Sequence, residues 1–339
     1  MRKILIYIPN WIGDAVMAIP MVRETRRVYP DDELTLFARE WVSPVFQYLR
    51  GIDKIISFSR EEIKRRKSKR TLIHHLRQGQ YDTVYILPDS FSTSWIMYNA
   101  RVKERIGYRN EFRSWMLTRS KSLRETRGIH RSDKYIQLLQ HLGGELRYGT
   151  PPRFQTTGTG DTDTLAGWDS TKVQIGINPN AVATSRRWPI PYWIRLMNSL
   201  GEESRQFVLF GGPGDRDRAK MIARKTSAEI INLAGRCTLD ESIRYISRCN
   251  LFISNDSGPM HIADAAGVPT LGFIGAADIT ATGLRNSHSK NLYAGVYCSP
   301  CLKNHCINKK EPLICLHAIP PELVTEEAEY LLKHNTFRN

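Results

Sequence analysis

Short β-rich runs separated by longer helical patterns recur along this chain and leave few architectures open to it. In the first half the runs fall at residues 3–9, 33–38, 54–58, 82–88 and 104–108; in the second half they fall at 173–179, 206–211, 229–234, 251–255 and 270–275. The stretches between them read as crossover helices, and this alternation builds parallel, doubly wound sheets, one per half. The two series part at residues 149–172, which hold Pro151-Pro152 and the turn-rich run Thr156-Thr157-Gly158-Thr159-Gly160-Asp161. The expected organisation is an α/β domain over 1–155, a linker over 156–172, a second α/β domain over 173–320, and a closing segment 321–339 whose helix could pack on either. A chain of 339 residues is long for one hydrophobic core and suits two.

In such sheets ligands lie beyond the carboxyl ends of the strands, so the residues after each run carry the chemistry. The first run ends in Pro9-Asn10-Trp11-Ile12-Gly13-Asp14-Ala15-Val16. Asp14 at this strand-to-helix turn suits a helix cap or an acid–base group, and the residues alone leave both open. Gly13 suggests close backbone approach or an unusual backbone angle. No Gly-x-Gly-x-x-Gly accompanies it, so the dinucleotide fingerprint is absent. The charged run from Arg60 to Arg70, with Lys64 inside it, is either a solvated helix face or a site for phosphate groups on an acceptor or a membrane lipid.

In the second half, Thr184-Ser185-Arg186-Arg187-Trp188-Pro189 follows the first run. Two hydroxyls and two guanidinium groups ahead of a helix suit a pyrophosphate, because Arg meets phosphate oxygens bidentately. Gly211-Gly212-Pro213-Gly214-Asp215 reads as a turn whose acidic group can accept from ribose hydroxyls. Asn255-Asp256-Ser257-Gly258-Pro259-Met260-His261 places backbone N–H groups at a helix start, a second grip for an anion. The Gly-x-Ser-x-Gly elbow of a serine hydrolase is missing.

Four of the six cysteines are spaced Cys298-x2-Cys301-x4-Cys306-x8-Cys315, with His305 and His317 nearby. This spacing can hold zinc or an iron–sulfur centre, and it is expected to be structural, outside the strand-end loops. Lys and Arg outnumber Asp and Glu by 49 to 34, a net charge of +15, which favours an anionic partner. Nucleic acid is not expected, since no recognition helix, RNA-binding motif or aromatic interleaving is present. Neither a signal-peptide core nor a stretch of roughly 20 apolar residues occurs, so the expectation is a cytoplasmic chain with peripheral membrane contact at most.

Taken in order, the segments Asn10–Val16, Arg186-Arg187-Trp188-Pro189 and Asn255–His261 resemble the ADP-heptose:lipopolysaccharide heptosyltransferases of glycosyltransferase family nine, and the resemblance runs nearly end to end. Leu87-Pro88-Asp89-Ser90-Phe91 and the stretch from Arg105 to Arg113 are most similar to the heptosyltransferase II branch. The resemblance implies an α/β, GT-B fold of two facing Rossmann-like domains with parallel sheets, the acceptor on the first and ADP-heptose on the second. It implies an inverting, single-displacement transfer to heptosyl-Kdo-lipid A at the inner face of the cytoplasmic membrane, with no cofactor required. Asp14 would be the base. Asn10, Trp11, Gly13, Lys64, Arg109 and Arg113 would meet the acceptor. Thr184, Ser185 and Arg186 would meet the pyrophosphate and Asp215 the ribose; Cys237, Thr238 and Leu239 would border the adenine; Asp256, Ser257, Gly258, Pro259 and His261 would line the diphosphate and sugar. Arg186 stands where family members usually carry Lys, and Pro259 and Met260 depart from the common Leu-containing form.

Overall fold

The computed structural model describes residues 1–110, 112–155 and 167–334. The chain forms two compact units, Met1–Thr156 and Thr157–Asn339. The turn-rich run expected as linker, residues 156–166, and the last residues of the closing segment, 335–339, lie outside the described residues.

In the first unit six parallel strands, β1 (Lys3–Tyr7), β2 (Glu33–Arg39), β3 (Lys54–Phe58), β4 (Thr83–Ile86), β5 (Glu104–Arg109) and β6 (Arg119–Ser122), form one sheet in the order β3-β2-β1-β4-β5-β6. Its central strand is apolar on both faces, with Ile4, Leu5 and Ile6 wholly buried, as a sheet covered on both sides by helices requires. On one face Phe37 meets Tyr7 edge-on at 4.8 Å and stacks on Phe58 at 4.2 Å.

The second unit repeats the plan with β7 (Val173–Asn178), β8 (Arg205–Leu209), β9 (Ile230–Asn232), β10 (Leu251–Asn255), β11 (Thr270–Ile274) and β12 (Lys290–Tyr293), ordered β12-β11-β10-β7-β8-β9. Its core is centred on Trp188, whose ring lies 5.1 Å from Trp193 and 4.7 Å from Phe273, and whose indole N–H donates to the Ile319 carbonyl at 2.9 Å. A buried indole N–H usually finds such an acceptor. The helix Pro321–His334 buries Val324, Ala328 and Leu331 in this same core. Residues 167–172, expected as linker, are also docked here: Trp168 lies 6.1 Å from Tyr245 with Arg248 at 4.7 Å over its ring.

Each sheet gains one strand that the sequence pattern does not reveal, β6 and β12, both at a sheet edge. Counted from its own first strand, each sheet runs 3-2-1-4-5-6. The order reverses between β1 and β4 and again between β7 and β10, and at such reversals the loops part and leave a crevice. The fold thus points to the loops after β1 and β4 in one unit and after β7 and β10 in the other.

Candidate active site

At the reversal of the first sheet, Pro9 and Asn10 lead from β1 into the helix Ile12–Met17. Trp11 is its N-cap residue and Asp14 sits in its first turn, where a carboxylate is favoured by the helix dipole. Asp14 is therefore not the cap. Gly13 lies inside this helix and is not among the residues with left-handed backbone, so the unusual angle expected of it does not occur. The Asp14 carboxylate is paired with the Arg131 guanidinium at 3.3 Å, both side chains partly accessible to solvent. Arg131 opens the helix Arg131–Ile136, which His130 caps by accepting from the Ser132 N–H at 3.2 Å. Burial works to lower the Arg131 pKa, but the Asp14 charge, the Tyr135 hydroxyl beside it and the Asp89 charge outweigh burial, and the net direction is upward. Burial, then the Asp14 charge, pushes the Tyr135 hydroxyl well above its ordinary range, so it stays protonated.

The loop after β4 supplies a second carboxylate. Asp89 accepts from Lys134 at 2.7 Å and lies 3.9 Å from Arg113, while the Lys134 ammonium stands 4.9 Å over the Tyr108 ring. Two acids and three cations thus gather at the mouth of the first sheet. Sequence reading did not single out Arg131 or Lys134, because nothing local distinguishes them from surface cations.

The expected acceptor residues divide. Trp11 is 64% exposed, and Lys64 and Arg109 are exposed at the ends of the helix Arg60–Lys64 and of β5. Asn10 is held in place: its side-chain oxygen accepts from Arg39 at 3.3 Å and its carbonyl from the Trp41 indole at 3.0 Å. Arg113 corrects the expectation of direct contact. Its side chain is fully buried, donating to the carbonyls of Tyr108 (2.8 Å), Pro88 (2.7 Å) and Ser90 (3.1 Å), so it ties the loops after β4 and β5 together.

At the reversal of the second sheet, Arg186 closes the short turn Thr184–Arg186 and pairs with Asp256 at 3.0 Å, the aspartate being only 3% exposed. Asn178 at the end of β7 donates to Ser254 (3.0 Å) and Ser257 (2.7 Å), and Asn255 at the end of β10 accepts from the Trp188 N–H at 3.0 Å. These bonds join the loop after β7 to the loop after β10. The Arg186 Nε and the Asn255 Nδ2 are buried with no hydrogen-bond partner among the described residues. Unpaired buried donors are costly, and an anionic ligand would satisfy them.

Other expected donor residues have structural duties. The Ser185 hydroxyl donates to the Lys303 carbonyl at 2.5 Å and the Thr184 hydroxyl to the Asn304 carbonyl at 3.3 Å, so these hydroxyls do not stand open for phosphate as expected. The same bonds correct the placing of the cysteine segment, which is stitched to a strand-end loop and does not stand apart from it. Asp215 accepts from the Gly212 N–H at 2.8 Å and so caps its own turn. Thr238 is the N-cap of the helix Leu239–Ser247, its hydroxyl accepting from Glu241 N–H at 3.2 Å and so engaged by its own helix. Cys237 lines a groove of about 500 Å³ beside β9 with Asn232, Arg236 and Glu241, and burial raises its thiol pKa.

Ser257 is the N-cap of the helix Gly258–Ala265, with Gly258 and Pro259 as its first residues and His261 buried one turn in. Pro259 has no N–H, so the anion grip of this turn falls on Gly258 and its neighbours. The four clustered cysteines line one small cavity of about 20 Å³. Among the described residues no three His, Cys, Asp or Glu side chains converge closely enough, as they stand, to hold a metal ion.

Two Rossmann-like units, each with charged side chains at its sheet reversal, are the plan of a GT-B type fold. The sequence profile described as glycosyltransferase family 9 (heptosyltransferase) matches residues 69–311. The chain belongs to glycosyltransferase family 9. It is 29% identical over 294 residues to lipopolysaccharide heptosyltransferase 2 of Escherichia coli K12, covering 80% of this chain and 82% of that protein. It is 25% identical over 345 residues to lipooligosaccharide heptosyltransferase 2 of Campylobacter jejuni, covering 98% and 99%. The solved structure of E. coli ADP-heptose lipopolysaccharide heptosyltransferase II superposes with a TM-score of 0.79 at 26% identity, covering 98% of each chain.

Proposed function

We propose that this enzyme transfers L-glycero-D-manno-heptose from ADP-heptose to heptosyl-Kdo-lipid A, with inversion at the anomeric carbon. The observation that carries the reading is the ionic arrangement at the two reversals: Asp14 beside Arg131 in one unit, Arg186 beside Asp256 in the other. The acceptor hydroxyl oxygen attacks the anomeric carbon, its proton passes to the Asp14 carboxylate, and the bond from that carbon to the ADP oxygen breaks. Arg131, 3.3 Å away, holds the carboxylate in place as the proton acceptor. Arg186, with the Gly258 end of its helix, receives the charge that develops on the departing pyrophosphate. The transfer itself uses no cofactor in this reading.

An acceptor carried on lipid A brings the enzyme to the inner face of the cytoplasmic membrane. The net charge of +15 supports that location, as do Phe112 and Trp115, 94% and 62% exposed on the segment after β5. No helix among the described residues is long and apolar enough to cross a membrane.

The test is incubation with ADP-heptose and heptosyl-Kdo-lipid A. A product one heptose heavier, together with released ADP, is expected. An active preparation that consumes ADP-heptose only with another glycan or a protein acceptor would reject this acceptor.

A further inference from the structure

We propose that Arg218 is a positioning residue of the donor side, its guanidinium clasping both ends of the loop that carries Arg186; the role in donor binding rests on the reading of Arg186 above. Arg218 is the third residue of the helix Arg216–Lys225, which follows the turn Pro213–Asp215. Its Nε donates to the Pro179 carbonyl at 3.1 Å and its Nη2 to the Trp188 carbonyl at 2.9 Å. Pro179 is the first residue after β7, and Trp188 is fixed in the core of the second unit. The two bonds therefore span the connection between them, and Arg186 stands just before its far end.

The regular structure within this loop is the turn Thr184–Arg186, where the Arg186 N–H donates to the Ala183 carbonyl at 3.1 Å and the Arg187 N–H to the Thr184 carbonyl at 3.2 Å. Such bonds close a turn and do not fix where it stands. Side chains from neighbouring elements do that. Asn255 takes the Trp188 N–H, and Arg218 takes the carbonyls at both ends. The loops after β7 and β8 also lie in close contact: the Asn180 amide donates to the Phe210 carbonyl at 3.3 Å, and a Cβ added at Gly211 would come within 2.8 Å of that amide nitrogen. Arg218 lies on the helix that the second of these loops opens. One guanidinium thus sets the loop of Arg186 against the turn of Asp215, the residues expected at the phosphates and at the ribose.

The task needs a fork. A guanidinium presents N–H groups from several nitrogens in one plane, whereas an ammonium is a point donor. Burial, then the Arg187 charge, lowers the Arg218 pKa while Asp215 works against them, and a guanidinium stays ionised through such a shift. Of Arg186, Arg187 and Arg218, only Arg186 is in an ion pair among the described residues. The clasped loop therefore holds more positive charge than its ion pairs balance, a field that favours an anionic ligand.

Arg218→Met and Arg218→Lys are to be compared with the parent chain. Hydrogen exchange without ligand reads the clasp itself. In both variants the amides of residues 180–188 should exchange about tenfold faster or more, while those of β7 and β10 keep their protection. ADP binding by calorimetry, well below each chain's unfolding midpoint, should weaken on the order of tenfold to hundredfold, with donor KM raised and acceptor KM unchanged. Arg218→Lys keeps the charge and loses the fork, so parent-like ADP affinity in that variant would overturn the clasp. Unchanged exchange over 180–188 in a folded Arg218→Met chain would overturn it too. Lost protection across the whole second unit, with donor and acceptor KM rising together, would make Arg218 a stability residue and reject the positioning role. A parent chain that binds no ADP would count against the proposed function, and the exchange result, which needs no ligand, would still decide the clasp.

Discussion

Asp14 and Arg131 form the pair on which the proposed chemistry turns, and their substitutions should differ in kind. Asp14→Asn removes the proton acceptor while keeping the size, so kcat should fall by about 10²–10⁴ with donor KM nearly unchanged. Arg131→Met leaves the carboxylate but removes its guanidinium partner; a smaller loss of kcat, with acceptor KM also raised, is expected in steady-state assays. Arg109 and Arg113 offer a second contrast. Exposed Arg109 can change to Ala without loss of stability while acceptor KM rises. Buried Arg113→Met removes a guanidinium that donates to three carbonyls and leaves Asp89 without a charge partner on that side, and denaturant unfolding should show a loss of about 3–5 kcal/mol. A catalytic loss in that variant without destabilisation would instead place Arg113 in contact with substrate. Asp14 was legible in the sequence because it follows the first strand; Arg131 was not, because only the folded sheet brings its helix to that place.

Among elements, the helix Ile19–Val28 is tied to the segment at 145–147 by one buried acid. Glu24 accepts from Arg27 at 2.6 and 3.0 Å and from the Arg147 N–H at 3.0 Å, and Arg27 donates onward to the Glu145 carbonyl at 2.7 Å. Burial raises the Glu24 pKa, but these bonds outweigh it and the net direction is downward. A folded pKa below the unfolded value of about 4.3 contributes stability above that value and loses it as pH falls through the folded one. Glu24→Gln should therefore cost about 1–3 kcal/mol at neutral pH, with the gap to the parent chain narrowing in acid below about pH 4. Equal destabilisation by Glu24→Gln at pH 3 and pH 7 would show that the charge is not responsible. Elements were legible where burial was two-sided. The interior strands are continuous apolar runs, whereas β6 reads Arg-Ser-Lys-Ser and β12 reads Lys-Asn-Leu-Tyr, edge strands that bury little and so leave no periodic signal. Caps carry a mixed signal: Asp215 and Thr238 are residue types that suit a ligand, and they also cap the turns they stand in.

For the whole molecule, charge and modularity set the expectations. If the basic surface and Phe112 guide the enzyme to lipid, sedimentation with vesicles should be strong for anionic composition, weak for zwitterionic, and should fall with salt over the range in which the Debye length shrinks below about 8 Å. Phe112→Ser should weaken it further without changing transfer to a delipidated acceptor. The two sheets carry the same strand order, each with its own core and its own reversal. Unfolding then need not be a single transition, and ADP, which the proposal gives to one unit only, should lift one calorimetric transition and leave the other in place; a hundredfold excess over Kd is worth about 2.7 kcal/mol. A repeated plan of this kind also separates what evolution can alter. The donor half could be exchanged for that of a relative using another nucleotide sugar while the acceptor half keeps its specificity, so that the sugar given and the glycan receiving it are inherited as two separate traits.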